Sequence, residues 1–267
     1  MEKEYALITG ASKGLGKSFA LELSKLNINL ILVGLPNEGL REIISEINTS
    51  DIDVQIHETD LTLEHNVIEM TKWANANFKI FMLINNAGIG GSKEFIDADI
   101  SYLSKIIQLN VLALTLITRA LLPNLLLRPK SYILNVSSMA AFSPIGYKTV
   151  YPASKAFVHH FTRGLNQELK DTNVFVSVVN PGPMKTNEEV IKRITNHGAL
   201  AKIGLLSPDK VAAISIRQLL KRDDMIMLNF GNGLSWLLMK IIPIWIRLPL
   251  MTRAVKKELL LEKIIAT

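Results

Sequence analysis

Thr9-Gly10-Ala11-Ser12-Lys13-Gly14-Leu15-Gly16 stands between a short apolar run, Tyr5–Thr9, and a stretch with apolar residues at helical spacing, Ser18–Leu26. Strand, glycine-rich turn and helix in that order decide the reading of the fold. A tight turn needs glycine, and a backbone that approaches a pyrophosphate must carry no Cβ at the contact. The free N–H groups that open the following helix then face the phosphates. The spacing, Gly-x3-Gly-x-Gly, differs from the more general Gly-x-Gly-x2-Gly pattern. An ordinary three-glycine turn is the alternative, and the position between strand and helix favours a nucleotide site.

Outward from this turn the same alternation continues. Strand-like runs occur at Ile28–Val33, Val54–His57, Ile80–Ile84, Tyr132–Val136, Val174–Val179 and Met225–Leu228. Helical patterns lie between them at Leu40–Ile47, Leu63–Ala76, Ile100–Leu127, Pro152–Lys170 and Pro208–Leu220. Continuous apolar strands separated by helices imply a parallel sheet covered on both faces, hence a doubly wound α/β domain. A mainly parallel sheet of about seven strands is expected. Ile100–Leu127 is apolar nearly all round, so a partner subunit is the candidate cover for the side that the sheet leaves free.

Bulk properties agree. The 267 residues suit one large domain, and 48% hydrophobic against 20% charged residues is a globular balance. With no cysteine, disulfides, thiolate nucleophiles and cysteine-ligated metals are excluded. The five histidines show no metal-ligand spacing, and no Gly-x-Ser-x-Gly elbow suggests a serine hydrolase. The chain runs into a strand pattern without an apolar leader, so a cytoplasmic location is expected. No spanning helix is expected either, because Leu234–Leu250 is interrupted by Lys240, Pro243, Arg247 and Pro249.

Of the net charge of +6, four units lie in residues 221–267, which hold eight Lys/Arg against four acids. Nucleic-acid binding through this tail is not expected, since no recognisable motif accompanies the charge. Trp236, Trp245 and neighbouring aliphatics interleaved with Lys240, Arg247 and Arg253 suit a membrane interface. Packing on the parent domain or over a substrate pocket is the simpler reading and is preferred. Peripheral membrane contact through 234–257 stays open as the alternative. Either version suggests an apolar substrate.

Tyr151 and Lys155 stand four apart at the start of a helical segment, so their side chains share a face. A free tyrosine has a pKa near 10, and a neighbouring ammonium lowers it, which suits proton transfer. Pro152 is read as the first helical residue. A Tyr-x3-Lys pair alone is common. This one accompanies Asn85-Asn86-Ala87-Gly88 at the end of the fourth strand, Ser138 thirteen residues before the tyrosine, and Asn180-Pro181-Gly182 with Thr186.

That set, in that order and spacing, resembles the short-chain dehydrogenase/reductase family in its non-extended branch, over residues 5 to 230. The resemblance implies a single Rossmann-type domain over 1–230, a substrate lid at 184–204, and 231–267 as an apolar and basic extension of the same domain. It implies an oxidoreductase that interconverts a carbonyl and a secondary alcohol, with Tyr151 as general acid in reduction and base in oxidation. Lys155 would lower the pKa of Tyr151 and hold the nicotinamide ribose. Ser138 would bond the substrate oxygen, although Ser137 is a rival that only the spacing sets aside. Asn110 would hold a water linking Lys155 to solvent, or else be a buried asparagine bonded to backbone.

The implied cofactor-binding residues are Gly10, Ser12, Lys13, Gly14, Leu15, Gly16, Asp60, Leu61, Asn86, Ala87, Gly88, Tyr151, Lys155, Pro181, Gly182 and Thr186. Asp60 is also read as an N-cap for Leu63–Ala76, a role for which Thr62 competes. The second strand ends in Val33-Gly34-Leu35-Pro36-Asn37, with no acid until Glu38, and Lys13 could meet a 2′-phosphate. NADP(H) is therefore preferred, with NAD(H) not excluded. A homo-oligomer, dimer or tetramer, and a small carbonyl or alcohol substrate complete the expectation, with a lipid-like ketone in view. The competing function is a non-catalytic nucleotide-binding scaffold that reaches a membrane or partner through the tail.

Overall fold

The computed structural model describes residues 3–47, 51–184 and 205–266. Seven strands form one sheet: β1 (Glu4–Thr9), β2 (Asn29–Gly34), β3 (Val54–Glu58), β4 (Lys79–Asn85), β5 (Ser131–Val136), β6 (Val174–Val179) and β7 (Met225–Ile226). Their order is β3-β2-β1-β4-β5-β6-β7, and every pairing is parallel. The strand order reverses between β1 and β4, and at this switch point a crevice opens at the carboxyl ends of the strands. Thr9 and Asn85 end those two strands, so the glycine turn and the Asn85–Gly88 segment meet at that crevice.

Alternation along the strands sends side chains to two cores. Ala6, Ile8, Leu30 and Leu32 pack beneath α1 (Gly14–Ser24), α2 (Leu40–Glu46) and, near the chain's end, Pro208–Leu220. Leu7, Ile31, Val33 and Leu83 pack beneath α3 (Glu64–Asn77) and the helical stretch that precedes β5. Fully buried aliphatics of this kind contribute roughly 1.5–3 kcal/mol each, which is why the sheet and its two helix layers form a unit.

The long helix expected at Ile100–Leu127 runs unbroken over Ile100–Leu126 but is not α-helical throughout. It consists of α4 (Ile100–Ile107), a π-helical segment Gln108–Ala113 and α5 (Leu114–Leu126). This stretch has the length and hydropathy of a membrane span, yet Ile106, Ile117, Leu121 and Leu125 are buried against the domain. A π segment inserts one extra residue into the turn, and such segments collect at functional sites. Periodicity alone cannot reveal it, because the apolar residues continue on both sides.

α6 (Val150–Glu168) begins two residues before Pro152, so Pro152 is its third residue and not its first. The proline still lies in the first turn, where no intrahelical N–H bond is lost. α7 (Pro208–Leu220) matches expectation and is capped by Ser207. β7 is shorter than expected, ending at Ile226. The chain then forms α8 (Phe230–Ile241) and α9 (Ile244–Ala266). These two helices lie over the 139–148 loop: Arg247 Nη1 donates to the Phe142 carbonyl at 2.8 Å, and Gly146 N–H donates to Thr252 Oγ1 at 3.1 Å. The lid expected at 184–204 falls, beyond Met184, outside the described residues, as does Thr186.

Candidate active site

The glycine turn is a cradle built by absence of side chains. Gly10 has φ +64°, and a Cβ there would lie 2.8 Å from Ala87 Cα. A Cβ on Gly16 would lie 2.0 Å from the Gly10 carbonyl oxygen. Gly14 also takes a left-handed φ, +56°. No side chain caps the start of α1, so its first N–H groups stay available to an anion. Asn86 braces the turn: its Nδ2 donates to the carbonyls of Thr9 and Gly10, both at 3.0 Å. Thr9 Oγ1 answers by accepting from the N–H groups of Asn86 and Ala87, at 3.0 and 3.1 Å. Thr9 is a clamp that its strand-end position in the sequence did not disclose.

The adenosine side is equally specific. Gly34 ends β2 opposite Ser12, and a Cβ on Gly34 would meet Ser12 Oγ at 3.5 Å. Lys13 is ion-paired with Glu38 instead of standing free for a phosphate. The side chains of Leu15 and Leu61 are buried in the two cores, so only their backbones can line a groove. Asp60 Oδ1 accepts from the N–H and hydroxyl of Thr62, at 2.9 and 2.8 Å. It therefore closes a local turn, and α3 starts after Leu63 with no side-chain cap. The expected capping by Asp60 or Thr62 is corrected: their mutual bond satisfies both before the helix begins. An uncapped helix start, glycine at the close approaches of the turn and a side-chain-free end of β2 together fit a dinucleotide.

The remaining residues converge at the other end of the crevice. Lys155 is buried, and its Nζ donates to the Val136 carbonyl at 2.9 Å. Burial alone pushes its pKa down to about 8. Tyr151 lies beside it, with the ammonium 6.0 Å from the ring centroid. Burial pushes the Tyr151 pKa up, and a hydrogen bond with Ser138 opposes that rise. The lowering expected from Lys155 does not arise here: Ser138 alone opposes the desolvation of the phenol, and the ammonium is turned toward Val136. Ser137, the rival, is buried and donates to the Lys155 carbonyl at 2.7 Å, which anchors α6 to β5. Ser138 also accepts from Ala140 N–H at 3.1 Å, which fixes the turn Met139–Phe142.

Asn110 lies in the π segment and is buried. Its amide pairs the Ile89 peptide in both directions, each at 2.9 Å, and Nδ2 also reaches Ser154 Oγ at 3.0 Å. The backbone-bonded alternative raised for Asn110 is what the geometry contains. Gly88 sits between Asn110 and Lys155: a Cβ on it would be 3.1 Å from Asn110 Oδ1 and 3.2 Å from Lys155 Nζ. Pro181 is buried, and its carbonyl accepts from Met139 N–H at 2.9 Å; Gly182 follows at the rim.

Two contributors escaped the sequence. Gly90 passes against the face of the Tyr151 ring. Tyr147 holds φ +63°, a conformation costly for a side chain of its size, and its carbonyl accepts from Lys93 N–H at 2.7 Å. The Ile89-Gly90-Gly91 run was the available signal for the first; nothing in the sequence marks the second. Beside Tyr151 opens a shallow cleft, with Phe95, Leu103 and Ile106 on its apolar side and Lys93, Tyr102 and Lys148 on its polar side.

A parallel doubly wound sheet with a glycine cradle and a tyrosine–lysine–serine cluster at its carboxyl edge defines a dinucleotide-binding oxidoreductase scaffold. The chain belongs to the short-chain dehydrogenase/reductase family, since the short chain dehydrogenase family model matches residues 4–195. It is similar to the very-long-chain 3-oxoacyl-CoA reductase of Rattus norvegicus, at 30% identity over 220 residues, covering 80% of this chain and 70% of that one. It is also similar in structure to a short-chain dehydrogenase of Sphingobium yanoikuyae in complex with NADPH. There the TM-score is 0.75 at 25% identity, covering 91% of this chain and 97% of the other. A short chain dehydrogenase/reductase of Burkholderia phymatum in complex with NAD shares the fold, with a TM-score of 0.76 at 21% identity over 89% and 92% of the two chains.

Proposed function

We propose that this oxidoreductase interconverts a carbonyl and a secondary alcohol with NADP(H), and that Tyr151 is its general acid and base. The observation that carries the reading is the convergence of Tyr151, Ser138 and Lys155 beside the Gly88–Gly90 backbone, at the crevice that the glycine turn opens. When bound, the nicotinamide supplies or accepts the hydride.

The chain's own residues move the proton. Tyr151 hands its phenolic proton to the carbonyl oxygen in reduction and takes the alcohol proton in oxidation. Ser138 bonds the same oxygen and holds it toward the phenol. Lys155, buried one turn further along α6, favours the phenolate while charged and holds the ribose. Asn110 keeps the Ile89 peptide in place, and with it the strand-end backbone that passes Tyr151.

NADP(H) is supported by the side-chain-free end of β2, with Lys13 available to a 2′-phosphate once released from Glu38; the relative from Sphingobium yanoikuyae binds NADPH. NAD(H) is a second, weaker ligand in this reading. An apolar, acyl-like substrate is supported by the lining of the cleft and by the similarity to a 3-oxoacyl-CoA reductase. The outer side of α4 and α5, where Ile100, Ile107 and Leu126 are exposed, is the proposed subunit contact of a homo-oligomer.

Tyr151→Phe tests the assignment. Turnover of a ketone panel of graded chain length should be abolished, while fluorescence titration shows nearly unchanged NADPH binding. Retained turnover in this variant refutes the role of Tyr151.

A further inference from the structure

Phe230, Leu234, Leu237, Leu238 and Ile241 are all exposed, and their spacing of four, three, one and three residues puts them on one side of α8. The stripe continues across the turn into α9 through Ile244 and Trp245, the latter 72% exposed. Isolated exposed apolar residues are ordinary; a contiguous row along two helices marks a contact surface.

The other side of the same helices is already engaged. Arg247 and Thr252 bond the 139–148 loop, Val255 is buried, and Glu258 pairs with Lys148 at 3.5 Å. The stripe is therefore presented outward by helices pinned from beneath.

Charge decides what it meets. Between residues 229 and 260 the one carboxylate is Glu258, whose side chain is 7% exposed and turned inward. Lys240, Arg253, Lys256 and Lys257 are exposed in the same segment. Lys240 lies over the Trp236 ring at 4.2 Å, a pairing that keeps the cation at the edge of the apolar row. A second copy docked stripe to stripe would bring these cations against cations, and among residues 229–260 no exposed acid answers them.

We propose that the outward face of α8 and the first half of α9 rests on an anionic lipid surface. The aliphatics and Trp245 enter the headgroup–acyl boundary, and the lysines and arginine meet acidic headgroups. Seated so, the 139–148 loop that joins Ser138 to Tyr151 lies directly behind the membrane-facing helices. The docking does not depend on the proposed substrate.

Full-length protein should co-sediment with vesicles of phosphatidylcholine and phosphatidylglycerol and much less with phosphatidylcholine alone. Bromine-labelled acyl chains should quench tryptophan fluorescence, and Trp245→Phe should remove most of that quench. Leu237→Glu with Ile241→Glu should lower vesicle affinity roughly tenfold or more, while turnover of a short soluble ketone is unchanged. Lys256→Glu with Lys257→Glu should erase the preference for anionic vesicles. No vesicle binding, or binding indifferent to these substitutions, overturns the proposal. Light scattering that shows the Leu237→Glu, Ile241→Glu variant losing a subunit contact of the parent also overturns it, and assigns the stripe to a second copy.

Discussion

A Cβ placed on Gly90 would stand 2.6 Å from Cδ2 and 2.7 Å from Cε2 of Tyr151. No real side chain tolerates that approach, so the phenol owes its position to a glycine on the opposite wall. Gly90→Ala must tilt the ring, and displacement of a reacting group by about 1 Å costs on the order of a hundredfold in rate. Steady-state kinetics should show kcat falling by about ten- to a hundredfold. Titration with NADPH should show unchanged affinity, because the glycine turn is untouched. A variant with parental kcat would remove Gly90 from the account of Tyr151.

Lys155 trades stability for chemistry. Burial lowers its pKa from 10.5 to about 8, which corresponds to about 3 kcal/mol of penalty on the charged form. Below pH 8 both folded and unfolded chains carry the proton, and the penalty is fully present. As pH rises from 8 toward 10.5 the folded chain releases its proton first, so the penalty fades. Lys155→Met should abolish turnover yet unfold at equal or higher denaturant than the parent near pH 7. The gap between the two should narrow between pH 8 and 10.5. Chemical denaturation across that range checks it, and a gap that widens would contradict the buried-ammonium picture.

Glu38 competes for Lys13. An exposed ion pair is worth about 0.2–1 kcal/mol, so releasing the lysine should strengthen binding of a 2′-phosphate by up to roughly fivefold. Glu38→Gln is expected to tighten NADPH binding within that range and to leave NADH nearly unchanged. Lys13→Ala should weaken NADPH more than NADH. Equal effects on the two nucleotides would place the phosphate elsewhere.

Asn86 holds the turn through two carbonyls. Removing a donor from partly buried acceptors costs about 1–3 kcal/mol. Asn86→Ala should lower the unfolding midpoint and weaken both nucleotides alike, since the brace serves the pyrophosphate turn and not the 2′ position. Thermal unfolding with and without nucleotide measures both effects. A loss confined to NADPH would show that Asn86 acts differently.

Much of this was legible along the chain. The alternation of strands and helices, the glycine turn and the Tyr151–Lys155 pair are local patterns, set by spacing over a few residues. Residues 174–179 and 208–220 were bounded correctly because β-branched runs and a Ser-Pro start are strong local signals. The π segment at Asn110 was not legible, because an extra residue in a helix leaves the apolar pattern unbroken. Nor was the choice between Ser137 and Ser138 visible as geometry, since neighbouring residues at a strand end differ only in the direction they face.

Sequence by itself determined the layered α/β domain and the identity of the residues with chemistry to offer, because periodicity and backbone demands act between near neighbours. Tertiary structure alone decided the environments: which partner holds Lys13, which glycine faces Tyr151, how far burial moves Tyr151 and Lys155, and that α8 and α9 lie over the 139–148 loop. Those depend on desolvation and on contacts between residues dozens to a hundred positions apart, and no local pattern encodes either.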